Sequence, residues 1–304
     1  MRADQATTLR ALRKGTQTSI TGMDNLMTKN NDFLQQGIRM ISITSGKGGV
    51  GKTNIAANLA YLLAQMKQRA MVLDADAGLA NIDVILGINS PNNLYHVLSG
   101  EKTLMETVVE GPGGIKILPS ASGIPEMTDL SRGQKLALID ELNALNDSLD
   151  FLLIDTGAGI SSNVMYFNMA AKEIIVVTTP EPTALTDAYA LIKILYQRHA
   201  KRRFRLIINM VHNAAEANEV YNRLSHATDR FLNLTIEYLG FVLLDDKVIE
   251  AIKQQKAVAE IYPNSAATKC LRKIAEKIYR DVPEEDVDGS KKYFWDSIIG
   301  RSCG

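Results

Sequence analysis

SGKGGVGKTN, residues 45–54, decides how this sequence is read. Its core, Gly46-Lys47-Gly48-Gly49-Val50-Gly51-Lys52-Thr53, fits the pattern G-x-x-x-x-G-K-[ST]. It also stands where that pattern has to stand, after a strand-like run (IRMISIT, 38–44) and at the start of a helical one (53–66). Glycines admit backbone angles that turn successive N–H groups inward, and the helix N-terminus behind them adds partial positive charge. Residues Gly46 through Asn54 are therefore expected to cradle phosphate. Lys52 is placed to reach a β/γ-phosphate pair, and the Thr53 hydroxyl to ligand Mg²⁺. One lysine is enough for this, so the second, Lys47, needs an explanation.

Working outward, short apolar runs recur: AMVLD (70–74), IKIL (115–118), FLLID (151–155), EIIVVTT (173–179), FRLIIN (204–209) and EYLGFVL (237–243). Most lack polar alternation, as strands buried on both faces do. Helical patterns at 132–147, 183–198, 215–230 and 265–280 join the one at 53–66. The alternation predicts an α/β fold with a doubly wound, mostly parallel sheet flanked by helices, whose ligands sit at the carboxyl ends of the strands. Three regions are expected: a polar arm, 1–35; the α/β domain, 36–281; and an acidic linker with an aromatic tail, 282–304.

Composition narrows the class. Lysine plus arginine and aspartate plus glutamate both number 34, so no global field draws the chain to nucleic acid or anionic lipid. The two cysteines, Cys270 and Cys303, are far apart and form no disulfide framework or metal spacing. No signal-peptide run opens the sequence and no stretch reaches the roughly 18 apolar residues of a membrane span. A cytoplasmic location is expected. His96, His199, His212 and His226 share no metal spacing, and the basic stretch HAKRRFR (199–205) reads as a solvated face.

Two strand-like runs end in aspartate. AMVLD ends in Asp74, with Asp76 next in DADAGLANID, and FLLID ends in Asp155, followed by Thr156-Gly157-Ala158-Gly159. A carboxylate closing an apolar strand is the arrangement that holds Mg²⁺ in P-loop proteins, and the glycines after it let the loop respond to a γ-phosphate. A strand-end aspartate also serves as a helix N-cap, so that role stays open for each. No N/T-K-x-D stretch follows FRLIIN, which favours ATP over GTP. Asn209, at the end of that run, is a candidate for the adenine edge.

On these residues the sequence resembles the MinD/ParA ATPases, whose deviant phosphate loop carries a lysine directly after the first glycine. The resemblance implies that Lys47 reaches across a nucleotide-sandwich homodimer to the partner's phosphates, much as an arginine finger does. It also implies a first switch in DADAGLANIDVILG (74–87), with Asp74 and Gly78, in which Asp76 positions the attacking water and the metal shell. A second switch lies in DTGAG (155–159), with Thr156, Gly157 and Gly159. Segments 178–193 and 240–246, the latter with Leu243 and Asp245, line the dimer and the base pocket. Catalysis would rest on Lys47, Lys52 and Asp76, and metal binding on Thr53, Asp76 and Asp155.

The ends resemble one branch, the FlhG (FleN/YlxH) flagellar-number ATPases. MRADQATTLRALR places Asp4, Gln5, Ala6, Leu9 and Arg10 at the positions of the DQAxxLR arm that stimulates an FlhF-like GTPase of the signal-recognition type. Flagellar C-ring components and a flagellar transcription activator are further implied partners. In KKYFWDSIIGR, Tyr293, Phe294, Trp295, Ile298 and Ile299 gather on one side of an expected helix beside Lys291 and Lys292, as in a surface helix on an anionic membrane. Packing of that helix back onto the domain is the alternative. A DNA-partition ATPase is the first rival; zero net charge and the aromatic tail count against direct DNA binding.

Overall fold

A computed structural model describes residues 38–76, 81–120, 130–143, 145 and 148–281. The expected arm, the aromatic tail and Gly78 lie outside the described residues. Eight strands form one sheet: β1 (Arg39–Ser45), β2 (Ala70–Ala75), β3 (Val109–Glu110), β4 (Lys116–Leu118), β5 (Phe151–Ala158), β6 (Glu173–Thr178), β7 (Phe204–Val211) and β8 (Glu237–Leu243). The order across it is β3-β4-β2-β5-β1-β6-β7-β8, with every pairing parallel except β3–β4. The helices are α1 (Lys52–Gln65), α2 (Ile82–Leu86), α3 (Leu94–Leu98), α4 (Leu104–Thr107), α5 (Arg132–Asn143), α6 (Ser162–Ala170), α7 (Pro182–His199), α8 (Ala214–Leu232), α9 (Asp246–Lys253), α10 (Val258–Ile261) and α11 (Ala266–Arg280).

Both sheet faces are covered, which is why the strands read as continuous apolar runs. Ile41, Ile43, Val72, Leu153, Ile175 and Ile207 point to the layer built with α1 and α11. Their neighbours, such as Leu152, Ile154, Val176 and Ile208, point to the opposite layer, where α5 to α8 pack. The polar positions of β1 on that second side are satisfied by one side chain of α6. Ser42 Oγ donates to Asn168 Oδ1 at 2.7 Å, and Asn168 Nδ2 donates to Thr44 Oγ1 at 3.2 Å and to the Val164 carbonyl at 2.8 Å.

Beneath the sheet, at the amino ends of the strands, runs a line of ion pairs. Arg39 of β1 meets Glu173 of β6 at 2.7 Å, and Glu173 also meets Arg205 of β7 at 3.2 Å. Arg205 reaches Glu237 of β8 at 3.0 Å and Asp281, just past α11, at 2.6 Å. Arg205 is buried while Glu237 and Asp281 are half exposed. Removing one member of a buried ionic group strands its partners. Arg205→Ala is therefore expected to lower the unfolding free energy by about 3 kcal/mol in urea titrations. Arg205→Lys should recover only part of it, because an ammonium cannot replace the planar fork.

Candidate active site

The chain leaves β1 between β5 and β6 and returns on both sides of it, so the carboxyl end of β1 is a topological switch point. The phosphate loop fills that point. Gly51 caps α1 in the left-handed region (φ 89°) and supplies no capping side chain, unlike Ser161, Asn213, Asp245 and Ser265 at α6, α8, α9 and α11. The first-turn N–H groups of α1 are thus left for an anion. Gly46 has a different reason to be glycine. A Cβ there would stand 2.2 Å from the backbone carbon and oxygen of Asp187, so α7 packs directly on the loop.

Lys52 is buried and donates from Nζ to Ser45 Oγ at 3.0 Å, while Ser45 Oγ donates to the Lys47 carbonyl at 2.7 Å. Desolvation lowers the Lys52 ammonium below the usual lysine range, against the attraction of Asp155 and Asp76. Asp155 is pushed up to about 7, chiefly by burial and also by the charge of Asp76, against a hydrogen bond from the Thr53 hydroxyl and the charge of Lys52. Asp74 is raised well above the carboxylate range by burial and by Asp155. Three amides offset this in part: those of Asp76 (3.0 Å), Asn81 (3.2 Å) and Ile82 (3.3 Å) donate to it.

The two strand-end loops meet here. A Cβ on Gly157 would lie 3.4 Å from Asp76 Oδ1, so the candidate water-positioning carboxylate faces the DTGAG stretch at the end of β5. Gly159 (φ 86°) donates its amide to the Ser45 carbonyl at 2.9 Å, and Thr156 Oγ1 donates to the Ile43 carbonyl at 3.2 Å. Asp155 Oδ1 is buried with no hydrogen-bond partner among the described residues. A lone buried carboxylate oxygen beside a threonine hydroxyl and a lysine suits a hard cation with phosphate oxygens. Thr53, Asp76 and Asp155 thus fit Mg²⁺.

Lys47 does not join this group. Its ammonium pairs with Glu181 and donates to Thr183 Oγ1 at 3.0 Å, at the start of α7. Beside it opens a cavity of about 340 Å³ between the phosphate loop and the ends of β6 and β7, lined by Glu181, Met210, His212 and Glu216 among others. Met210 holds a left-handed φ of 59° at the register shift between Ile208 and Val211, an unusual conformation for a bulky side chain.

The candidate adenine residues are engaged with the protein itself. Asn209 Nδ2 donates to the Val50 carbonyl at 2.8 Å and clamps the loop to β7. Asp245 accepts the amides of Lys247 and Ala267, both at 2.9 Å, and so caps α9 and ties it to α11. Leu243 is half-buried at the end of β8. Ser45, Glu181, Thr183 and Met210 were not singled out by the sequence patterns. Ser45 lies in the stretch quoted first, where a hydroxyl just before the loop was the available signal.

The site defines the class first: a P-loop nucleotide-binding protein with a second lysine in its loop. The family model described as ParA, NUBPL iron-transfer P-loop NTPase, matches residues 37–279. The chain is 43% identical to the antiactivator FleN of Pseudomonas aeruginosa, over 79% of this chain and 86% of that protein. It is 38% identical to the flagellum site-determining protein YlxH of Helicobacter pylori, over 90% of this chain and 95% of that one. Among solved structures it is similar to the septum site-determining protein MinD of Pyrococcus horikoshii complexed with Mg-ADP. That likeness has a TM-score of 0.67 and 26% identity, over 80% of this chain and 96% of that chain. The chain belongs to the MinD/ParA family of P-loop ATPases, with the FleN/YlxH (FlhG) proteins as its relatives. No helix among the described residues is long and apolar enough to cross a membrane.

The raised carboxyl of Asp155 gives a stability signature. A carboxyl whose folded pKa exceeds its unfolded value favours the fold most below the unfolded pKa, about 4, and loses that contribution as pH rises through about 7. Without nucleotide or Mg²⁺, Asp155→Asn is expected to melt at a higher temperature than the wild type at pH 8. The gap should shrink toward pH 5.5; parallel melting curves at both pH values would contradict the raised carboxyl.

Proposed function

We propose that this chain is an ATP-driven dimerising switch of the FlhG type, acting in the control of flagellar number and placement. Lys52 and the loop amides hold the chain's own nucleotide, and Asp76 aligns the attacking water. Thr53, Asp76 and Asp155 hold Mg²⁺, which when bound neutralises phosphate charge. The observation that carries the reading is the address of Lys47, outside its own phosphate site on Glu181 and Thr183. In a face-to-face homodimer Lys47 leaves those partners and serves the neighbour's phosphates. A group that arrives only with the partner makes turnover slow in the monomer.

The ATP dimer brings two copies of the tail together, so Lys291, Lys292 and the aromatic residues 293–295 act by avidity on an anionic membrane surface. The chain is then cytoplasmic and reversibly peripheral. The arm, with Asp4, Gln5, Ala6, Leu9 and Arg10, stimulates an FlhF-like GTPase, and C-ring components are further candidate partners. A second reading is favoured by one relative's name: FleN is an antiactivator, so the chain acts chiefly by binding a flagellar transcription activator, with hydrolysis resetting it.

Sedimentation with anionic liposomes tests the first reading. The Asp76→Ala chain should pellet with ATP and not with ADP, and a version ending at Asp288 should stay in the supernatant; no pelleting in either nucleotide would favour the activator reading. Single-turnover hydrolysis tests the lysine pair. Lys47→Ala should keep nucleotide affinity within a few-fold and lose about 10³-fold in rate, whereas Lys52→Ala should lose binding itself. Equal loss of binding in both would remove the division of labour.

A further inference from the structure

The exposed face of α11 carries Lys269, Arg272, Lys273, Lys277 and Arg280, with Glu276 the single carboxylate among them. The spacing i, i+3, i+4, i+7, i+8, i+11 lays all six in one stripe, opposite the buried Leu271, Ile274, Ala275 and Ile278. The stripe has little counter-charge among the described residues. Arg280 stands 3.9 Å from Glu276, and Arg272 and Lys277 donate to the carbonyls of Pro263 and Tyr238. Among the described residues the ammonium groups of Lys269 and Lys273 have neither an ion pair nor a hydrogen bond.

We propose that the acidic segment directly after this helix, PEEDVDGS (283–290), docks back along the stripe and covers it. Charge matches: five cations less one carboxylate leave four positive charges, and the segment brings Glu284, Glu285, Asp286 and Asp288. Length matches too. Lys269 to Arg280 spans about 17 Å of helix, and residues 282 to 288 reach about 23 Å when extended. The helix ends at Arg280, and a proline three residues further on cannot extend it. Asp281 is already fixed to Arg205, so the segment starts beside its target at high effective concentration.

The path has a consequence for the tail. The amino end of α11 is tied to Asp245, just past β8 at the carboxyl rim of the sheet. A segment lying back along the helix delivers Lys291 and the aromatic residues toward the nucleotide rim instead of the opposite end of the domain. Each exposed pair is individually weak, so the cover is salt-sensitive, and an anionic surface competes with it for the same cations. This last point alone rests on the membrane reading of the tail.

Zero-length carbodiimide cross-linking of the full chain, mapped by mass spectrometry, reads the contact directly. The expected products join Glu284, Glu285 or Asp286 to Lys269, Lys273 or Lys277 at low salt, and vanish at about 0.5 M NaCl. The triple reversal K269E/R272E/K273E should abolish the links made by Lys269 and Lys273, and adding E284K/E285K/D286K should restore links in the opposite sense. Linker carboxylates that couple elsewhere, to an isotopically marked second copy, or not at all would overturn the proposal. With phosphatidylglycerol vesicles, E284Q/E285Q/D286N/D288N should bind about fivefold more tightly than the wild type. Equal binding would remove the covering role. Vesicle binding that needs the stripe, with no cross-links formed, would make the bilayer its occupant and overturn the docking. If neither chain binds vesicles, the membrane reading fails, and the cross-links still decide the docking.

Discussion

Two carboxylates and one ammonium are buried together at the carboxyl ends of β1, β2 and β5, and the rest of the site follows from that crowding. Lys52 alone cannot balance Asp74 and Asp155, and burial raises both acids while it lowers the base. The protein has spent backbone donors on Asp74 but none on Asp155 Oδ1. Asp155 Oδ1 is thus a buried acceptor that the protein's own donors leave unsatisfied, an arrangement that suits a divalent cation with phosphate. Gly159 and Thr156, next along the chain from Asp155, are themselves held to the carbonyls of β1.

The surroundings of the loop are built to hold it still. α7 approaches so closely at Gly46 that no side chain fits between, Asn209 ties Val50 to β7, and Met210 accepts an unusual backbone angle beside them. Strained or crowded backbone is tolerated where surrounding packing over-determines it. Lys47 is the exception, since its side chain reaches outward to partly exposed partners that can be exchanged cheaply. Rigidity at Lys52 and exchangeability at Lys47 are opposite properties of two lysines on one loop.

Much of this was legible in the sequence because the informative features are local. Strands buried on both faces read as unbroken apolar runs, and the phosphate loop and strand-end aspartates announce themselves by residue type and position. What escaped reading has no local period. β3 is a two-residue antiparallel strand at the edge, and α2, α3 and α4 span four or five residues each. α6 is buried on nearly every side, so its sequence shows no amphipathic stripe. The expected helix over 132–147 ends as an element at Asn143. In the site, Glu181 and Thr183 meet Lys47 from more than a hundred residues away, and the hold of Asn209 on Val50 spans a similar distance. Tertiary placement brought these together, and no spacing rule encodes it.

The line of ion pairs beneath the sheet also has a mechanical meaning. Asp281 is the last described residue, and it is gripped by Arg205, which through Glu173 and Arg39 links the amino ends of β8, β7, β6 and β1. A pull on the chain beyond this point meets Arg205 as well as the packing of α11. The load passes sideways into four neighbouring strands and is shared among their hydrogen-bonded ladders, as tension in a guy rope is shared by several pegs. Arg39 also grips the Ile278 carbonyl in the last turn of α11, so the helix end is moored twice. Whatever the far end of the chain is fastened to, the domain is rigged to bear the strain at the floor of its sheet, away from the loops that hold phosphate.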